Sequence, residues 1–138
     1  MPFDHEKLDV YKAAAAFVVL TEQIVDQFPP GRAYLTDQLR RASSSIAFNI
    51  AEGAGEFTRQ DKARFYRMAR RSGTECAAIL DVSKRLGLIE PKLFEQAYGL
   101  LFRIVSMLTR MVRSLGEKPG TGTGTGAPAA RAGTELAR

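Results

Sequence analysis

Apolar residues recur along this chain at helical spacing in four stretches, and no alternating strand pattern competes with them. The first stretch is Val10, Ala13, Phe17, Leu20, Ile24 and Phe28. It predicts a helix over 5–28, capped by Asp4, with Phe3 and Leu8 at the two staple positions. A second stripe, Leu8, Tyr11, Ala15 and Val18, makes this face wider than one core contact needs. Pro29-Pro30-Gly31 then stops the helix. The second stretch, Leu35, Leu39, Ala42, Ile46, Ile50 and Gly53, predicts a shorter helix over 36–51. Gly53 and Gly55 are suited to the left-handed backbone that helix ends favour. A third helix should start at Thr58, with Asp61 three residues on as a weak capping box. Its stripe is Phe65, Met68, Ala69, Ser72, Cys76, Ile79, Leu80, Ser83 and Leu86, and Gly87 ends it. The small residues Ala69, Ser72 and Gly73 would let another helix approach closely. A fourth helix should begin near Pro91, a favoured first position, and carry Phe94, Ala97, Leu101, Ile104, Leu108, Met111, Val112 and Leu115 inward. Short connections imply antiparallel neighbours. The expected architecture is all-α, an up-down-up-down four-helix bundle over 1–117. From Gly116 glycine and threonine alternate, a pattern that buries no apolar area, so 118–138 reads as a flexible tail.

The 138 residues fit one domain. Cys76 is the sole cysteine, which rules out an internal disulfide and points to a reducing compartment. The first residues carry Asp4 and Glu6 where a leader peptide would be basic and then apolar. The longest apolar run, Ala13 to Leu20, falls far short of the roughly 20 residues that span a bilayer. A cytoplasmic protein without membrane contact is therefore expected.

Helical bundles often hold two metal ions between paired Glu-x-x-His motifs. This chain has one histidine, His5, and no such motif, so neither a metal nor a cofactor is expected. Ser43, Ser44 and Ser45 have no neighbouring base to activate them, and small residues on a closely packed helix explain them better. Cys76 lies on an apolar stripe and reads as a small buried hydrophobe. No catalytic residue emerges, and the chain reads as non-enzymatic. Glu52 stands near a helix C-terminus, where the macrodipole costs a carboxylate roughly 0.3–1 kcal/mol. A partner arginine would offset that cost. Asn49, at the edge of the second stripe, should bond to backbone at a loop.

Charge changes the picture most. Twenty Lys and Arg against fifteen Asp and Glu give a net charge of +5. Arg40 and Arg41 adjoin on the second helix, and Arg59, Lys62, Arg64, Arg67, Arg70 and Arg71 crowd the first half of the third. Like charges one turn apart repel unless partnered. Acids such as Glu52, Glu56 and Glu75 would relieve them, and so would phosphates gripped bidentately. Arg40, Arg41, Lys62, Arg64, Arg67, Arg70 and Arg71 are thus candidate nucleic-acid contacts. The alternative is a protein-interaction scaffold in which they form salt bridges within or between subunits. Only Phe57 and Tyr66 stand near the cluster as candidates for base stacking. Phe48 points away from the second stripe. Together with the wide first helix it implies buried area beyond one bundle, which closed homo-oligomers commonly supply.

Several segments carry a family resemblance. They are Phe28-Pro29, Tyr34-Leu35-Thr36 running to Gln38-Leu39-Arg40-Arg41-Ala42, Ser45-Ile46 with Asn49-Ile50-Ala51-Glu52-Gly53, and Phe65 to Ser72. Across about 5–115 the chain resembles the bacterial four-helix-bundle proteins of the 23S rRNA intervening-sequence type. The resemblance implies an up-down bundle assembled as a ring-shaped homopentamer. A related group, the accessory proteins of diversity-generating retroelements, implies nucleic acid and a reverse transcriptase or other protein as partners. Phe48, Asn49, Glu52 and Gly53 are then expected as turn-locking and subunit-contact residues. Pro30-Gly31-Arg32 departs from the family, which often has an acid there.

Overall fold

The computed structural model describes residues 3–116, and the predicted tail lies outside the described residues. Four helices account for almost all of them: α1 Asp9–Val25, α2 Ala33–Ala54, α3 Arg59–Arg85 and α4 Pro91–Gly116. Each packs on the next in sequence, and α1 also packs on α4, which closes a bundle around one core. There is no strand among the described residues. The core takes Phe17, Ile24, Leu39, Ile46, Ile50, Leu80, Leu101, Ile104 and Leu108, each almost wholly removed from water. Burying such a side chain contributes about 1.5–3 kcal/mol.

The chain enters α1 differently from expectation. Asp4–Lys7 forms a separate 3-10 turn, and α1 starts after Leu8 with no side-chain cap. Asp4 therefore caps nothing in α1, and Phe3 lies exposed rather than stapled. The helix also stops earlier, at Val25, and Gln27 and Phe28 make tighter turns, their amides bonding back three residues, before the prolines. The second stripe of α1 (Leu8, Tyr11, Ala15 and Val18) is half-buried, and Leu8, Tyr11 and Val18 pack on the bundle's own core.

Helix α2 is longer than its pattern implied at both ends. Thr36 sits inside the first turn, donating to the carbonyl of Ala33 at 3.2 Å. At the far end the helix runs on through Gly53 to Ala54. Gly53 is not left-handed, and Gly55 has φ −86°. Gly53 is needed for another reason: a Cβ there would lie 2.6 Å from a ring carbon of Tyr66 on α3. The open carbonyls are met by Lys62, whose Nζ donates to Ala54 at 2.9 Å and Gly53 at 3.3 Å. The left-handed glycines of this fold are Gly31 and Gly87, at the α1–α2 and α3–α4 turns.

Thr58 caps α3 as expected, its hydroxyl accepting from the amide of Asp61 at 3.0 Å. The buried face of the first half of α3 is rotated from the predicted stripe. Ala63, Tyr66, Ala69, Gly73 and Cys76 point inward, while Met68 is exposed and Phe65 and Ser72 sit half-buried at its edge. The reason is the glycine on α2: the space over Gly53 admits the Tyr66 ring. Gly73 lets α4 close in, since a Cβ there would be 2.8 Å from a Val105 methyl. On α4, Phe94, Ala97, Leu101, Ile104, Leu108 and Val112 are buried as the pattern requires.

Candidate nucleic-acid interface

The unusual polar residues of α2 meet α3 along one seam. Asn49 Nδ2 donates to its own helix, to the Ser45 carbonyl at 2.9 Å and the Ser45 hydroxyl at 3.0 Å. It does not bond a loop, as its place near the helix end had implied. Ser72 of α3 donates to the same Ser45 hydroxyl at 2.8 Å. Ser43 is buried and donates to the Arg40 carbonyl at 3.1 Å. Ser45 is thus spent on pairing α2 with α3, and Ser43 on a bond within its own helix. Above them opens a shallow groove lined by Arg41, Ser44, Phe48 and Glu75, with Phe48 67% exposed at its rim. A second groove, at the α2 C-terminus, is lined by Phe3, Asp4, His5, Phe48, Glu52 and Glu56. It holds the only histidine and no serine.

The basic candidates separate into two groups. Arg40 reaches across to α1, its Nε 3.2 Å from Glu22. Lys62 is held at the α2 carbonyls. Arg64 lies 3.9 Å from Asp61 and 4.5 Å above the Phe65 ring. Arg41, Arg67 and Arg71 are exposed and form no ion pair among the described residues. Arg70, half-buried, comes three residues before the Gly73 contact with α4. Glu52, Glu56 and Glu75, the acids expected to neutralise the cluster, form no ion pair among the described residues either. Tyr66 drops out as a stacking candidate because it is only 4% exposed, and burial pushes its hydroxyl pKa up. Phe57, at the α2–α3 bend, is 98% exposed.

The fold adds basic residues that the linear pattern did not single out. Lys84 of α3 lies over the Phe94 ring, while Gly73 faces Leu101 and Val105. Helix α4 therefore runs back along α3, and its C-terminal half lies beside the arginine-rich half of α3. That half of α4 carries Arg103, Arg110 and Arg113, all exposed, with no acid after Glu95 within the helix. The acid-free stretch was visible in the sequence. Its relevance depended on which end of α3 it would meet.

Cys76 is buried, and burial followed by the nearby Glu75 charge pushes its thiol pKa up to about 12. It is a packed thiol rather than a nucleophile. Among the described residues no three His, Cys, Asp or Glu side chains gather as a metal site. Among the same residues no helix is long and apolar enough to cross a membrane.

Four packed helices, a hydroxyl-lined seam between two of them and an arginine-bearing outer face define an all-α helical-bundle protein. The chain belongs to the 23S rRNA-intervening sequence protein family, whose profile matches residues 6–110. A comparison with curated proteins gave no match.

Proposed function

We propose that this protein is a non-enzymatic bundle of up-down-up-down topology. It assembles with copies of itself as a ring-shaped homopentamer and binds RNA or DNA through its arginines. The carrying observation is that Arg41, Arg67 and Arg71 stand in solvent without a carboxylate among the described residues. Arginine left unpartnered beside other arginines is unfavourable alone and favourable against phosphate. Arg64 and Arg70 flank them on α3. Arg40 and Lys62 contribute field more than contact, since each is held by another group. The family description refers to 23S rRNA, which makes RNA the first probe to use. Binding should be dominated by the phosphate backbone and weaken steeply with salt.

The test is a gel-shift titration of the full chain on RNA over a salt series. Binding at low salt that weakens in an Arg64/Arg67/Arg71→Ala variant is expected. No binding at low salt, or binding untouched by the variant, overturns the reading. Light scattering on the same sample should give a mass near five chains, and a monomer contradicts the ring.

A second reading has its own support. The Arg40–Glu22 bridge uses an arginine to link α2 to α1, and the shallow groove beside exposed Phe48 offers apolar area to a protein partner. In that reading exposed Phe48 and Glu52 serve subunit contact while Asn49 and Gly53 are structural, and the partner is a reverse transcriptase or another protein. Substituting Phe48→Ser and finding the assembly intact would count against that contact.

A further inference from the structure

We propose that the outer face shared by α3 and α4 is a track for single-stranded nucleic acid, with Phe102 and Tyr98 as base-stacking platforms. This rests on the nucleic-acid reading above and deepens it. Aromatic residues at positions 94, 98 and 102 recur every fourth residue of α4, so their side chains share one side of the helix. The innermost, Phe94, is buried beneath the Lys84 ammonium. Its ring stacks on Tyr98 with centroids 5.2 Å apart and planes inclined by 22°. That contact holds Tyr98 in place while leaving it 43% exposed. Phe102, one turn further, is 66% exposed. Adjacent rings on such a ladder are offset by about 6 Å along the helix. A helix that only packs against its bundle gains nothing from a large ring in water at 102.

The placement of charge favours nucleic acid as the occupant. Gly73 seats α3 against Leu101 and Val105, so Phe102 stands next to the arginine-bearing half of α3. Arg67 and Arg71 on α3, and Arg103 and Arg113 on α4, are exposed and form no ion pair among the described residues. Asp81 on α3, paired with Arg85, and Glu95 on α4 border one end of the track, Glu75 turns toward the α2 groove, and no acid lies between 96 and 116. A positive surface with exposed rings fits a flexible strand, whose phosphates meet the arginines while unpaired bases cover the rings. A duplex offers the same phosphates but keeps its bases stacked on each other, so the rings would gain little from it.

The experiment measures fluorescence anisotropy of the full chain with a labelled 20-nucleotide RNA, the same DNA strand, and each as a duplex. Single strands should bind more tightly than duplexes. Phe102→Leu keeps apolar bulk but removes the ring, and should weaken single-strand binding about 5- to 150-fold while leaving duplex binding unchanged. Arg71→Ala with Arg113→Ala should weaken both, and lower the single-strand salt slope by about 0.7 per lost contact. Equal affinity for single strands and duplexes, or indifference to Phe102→Leu, overturns the track while leaving the broader reading standing. Failure of every probe at low salt overturns both. A change of assembly mass in Phe102→Leu, with single-strand binding unchanged, would instead assign the ring to a protein contact. Because Phe102 is exposed, an unaltered circular-dichroism melt is expected, and Phe102→Trp should retain binding.

Discussion

Along its inner face α3 carries Ala63, Tyr66, Ala69, Gly73, Cys76 and Leu80, all buried, and along its outer face Arg64, Arg67 and Arg71, all exposed. The inner face is fixed by what stands opposite. Tyr66 fits because Gly53 has no Cβ, and α4 fits because Gly73 has none. On the outer face only Arg64 has a neighbour, Asp61 and the Phe65 ring of its own helix, while Arg67 and Arg71 form no ion pair among the described residues. Arg67 and Arg71 hold like charge at one-turn spacing, which costs a little stability. The difference separates residues kept for folding from residues available for a partner, and each side makes its own prediction.

The largest effect belongs to the inner face. Leu80→Ala should cost about 2–5 kcal/mol in urea unfolding, since a fully buried leucine leaves a cavity that the bundle only partly refills. A cost under about 1 kcal/mol would mean that this end of the bundle is loosely packed. Gly53→Ala comes next, at about 1–3 kcal/mol, because the new methyl would meet the rigid Tyr66 ring. The sign is informative, as alanine in a helix would otherwise gain about 1 kcal/mol. If the variant is stabilised, the ring can shift and the inner face is less strictly specified than described.

A third test uses the buried thiol. Burial raises the Cys76 pKa from 9.0 to about 12, so in this range the native chain holds a proton that the unfolded chain releases. Its contribution to stability is complete below pH about 9 and is lost as pH rises toward 12. Thermal melts over that window should show a downward slope that is shallower in Cys76→Ala. Reaction with a thiol reagent at pH 8 should await unfolding. Rapid reaction in the native state would contradict the burial.

The smallest stability effect is on the outer face. Arg67→Ala and Arg71→Ala should each move stability by no more than about 0.5 kcal/mol. The same variants should reduce RNA affinity severalfold and flatten its salt dependence. A large loss of stability from either would blur the contrast between the two faces, and would point to an ion pair made in the assembled oligomer.

Much of this architecture could be read along the chain. The stripe on α2 is buried at every predicted position, from Leu35 to Gly53, and the α4 core positions are buried with Met111 and Leu115 at the edge. Thr58 and Pro91 mark the starts of α3 and α4 because capping and proline geometry are local properties. Composition also located the arginines and left the chain without a recognisable reaction centre.

Tertiary structure decided the rest, because those outcomes depend on contacts between distant residues. Tyr66 in place of Phe65 and Met68 follows from the space left by Gly53, thirteen positions away, which a helical wheel of α3 alone does not contain. Lys62 turns to the end of α2, and Arg40, still exposed, pairs with Glu22, since each finds a partner on another helix. The meeting of the α4 arginines with those of α3, and the position of Phe102 beside them, exists only once the two helices lie side by side. Local periodicity specifies which residues face inward, and helix pairing determines which outward residues become neighbours.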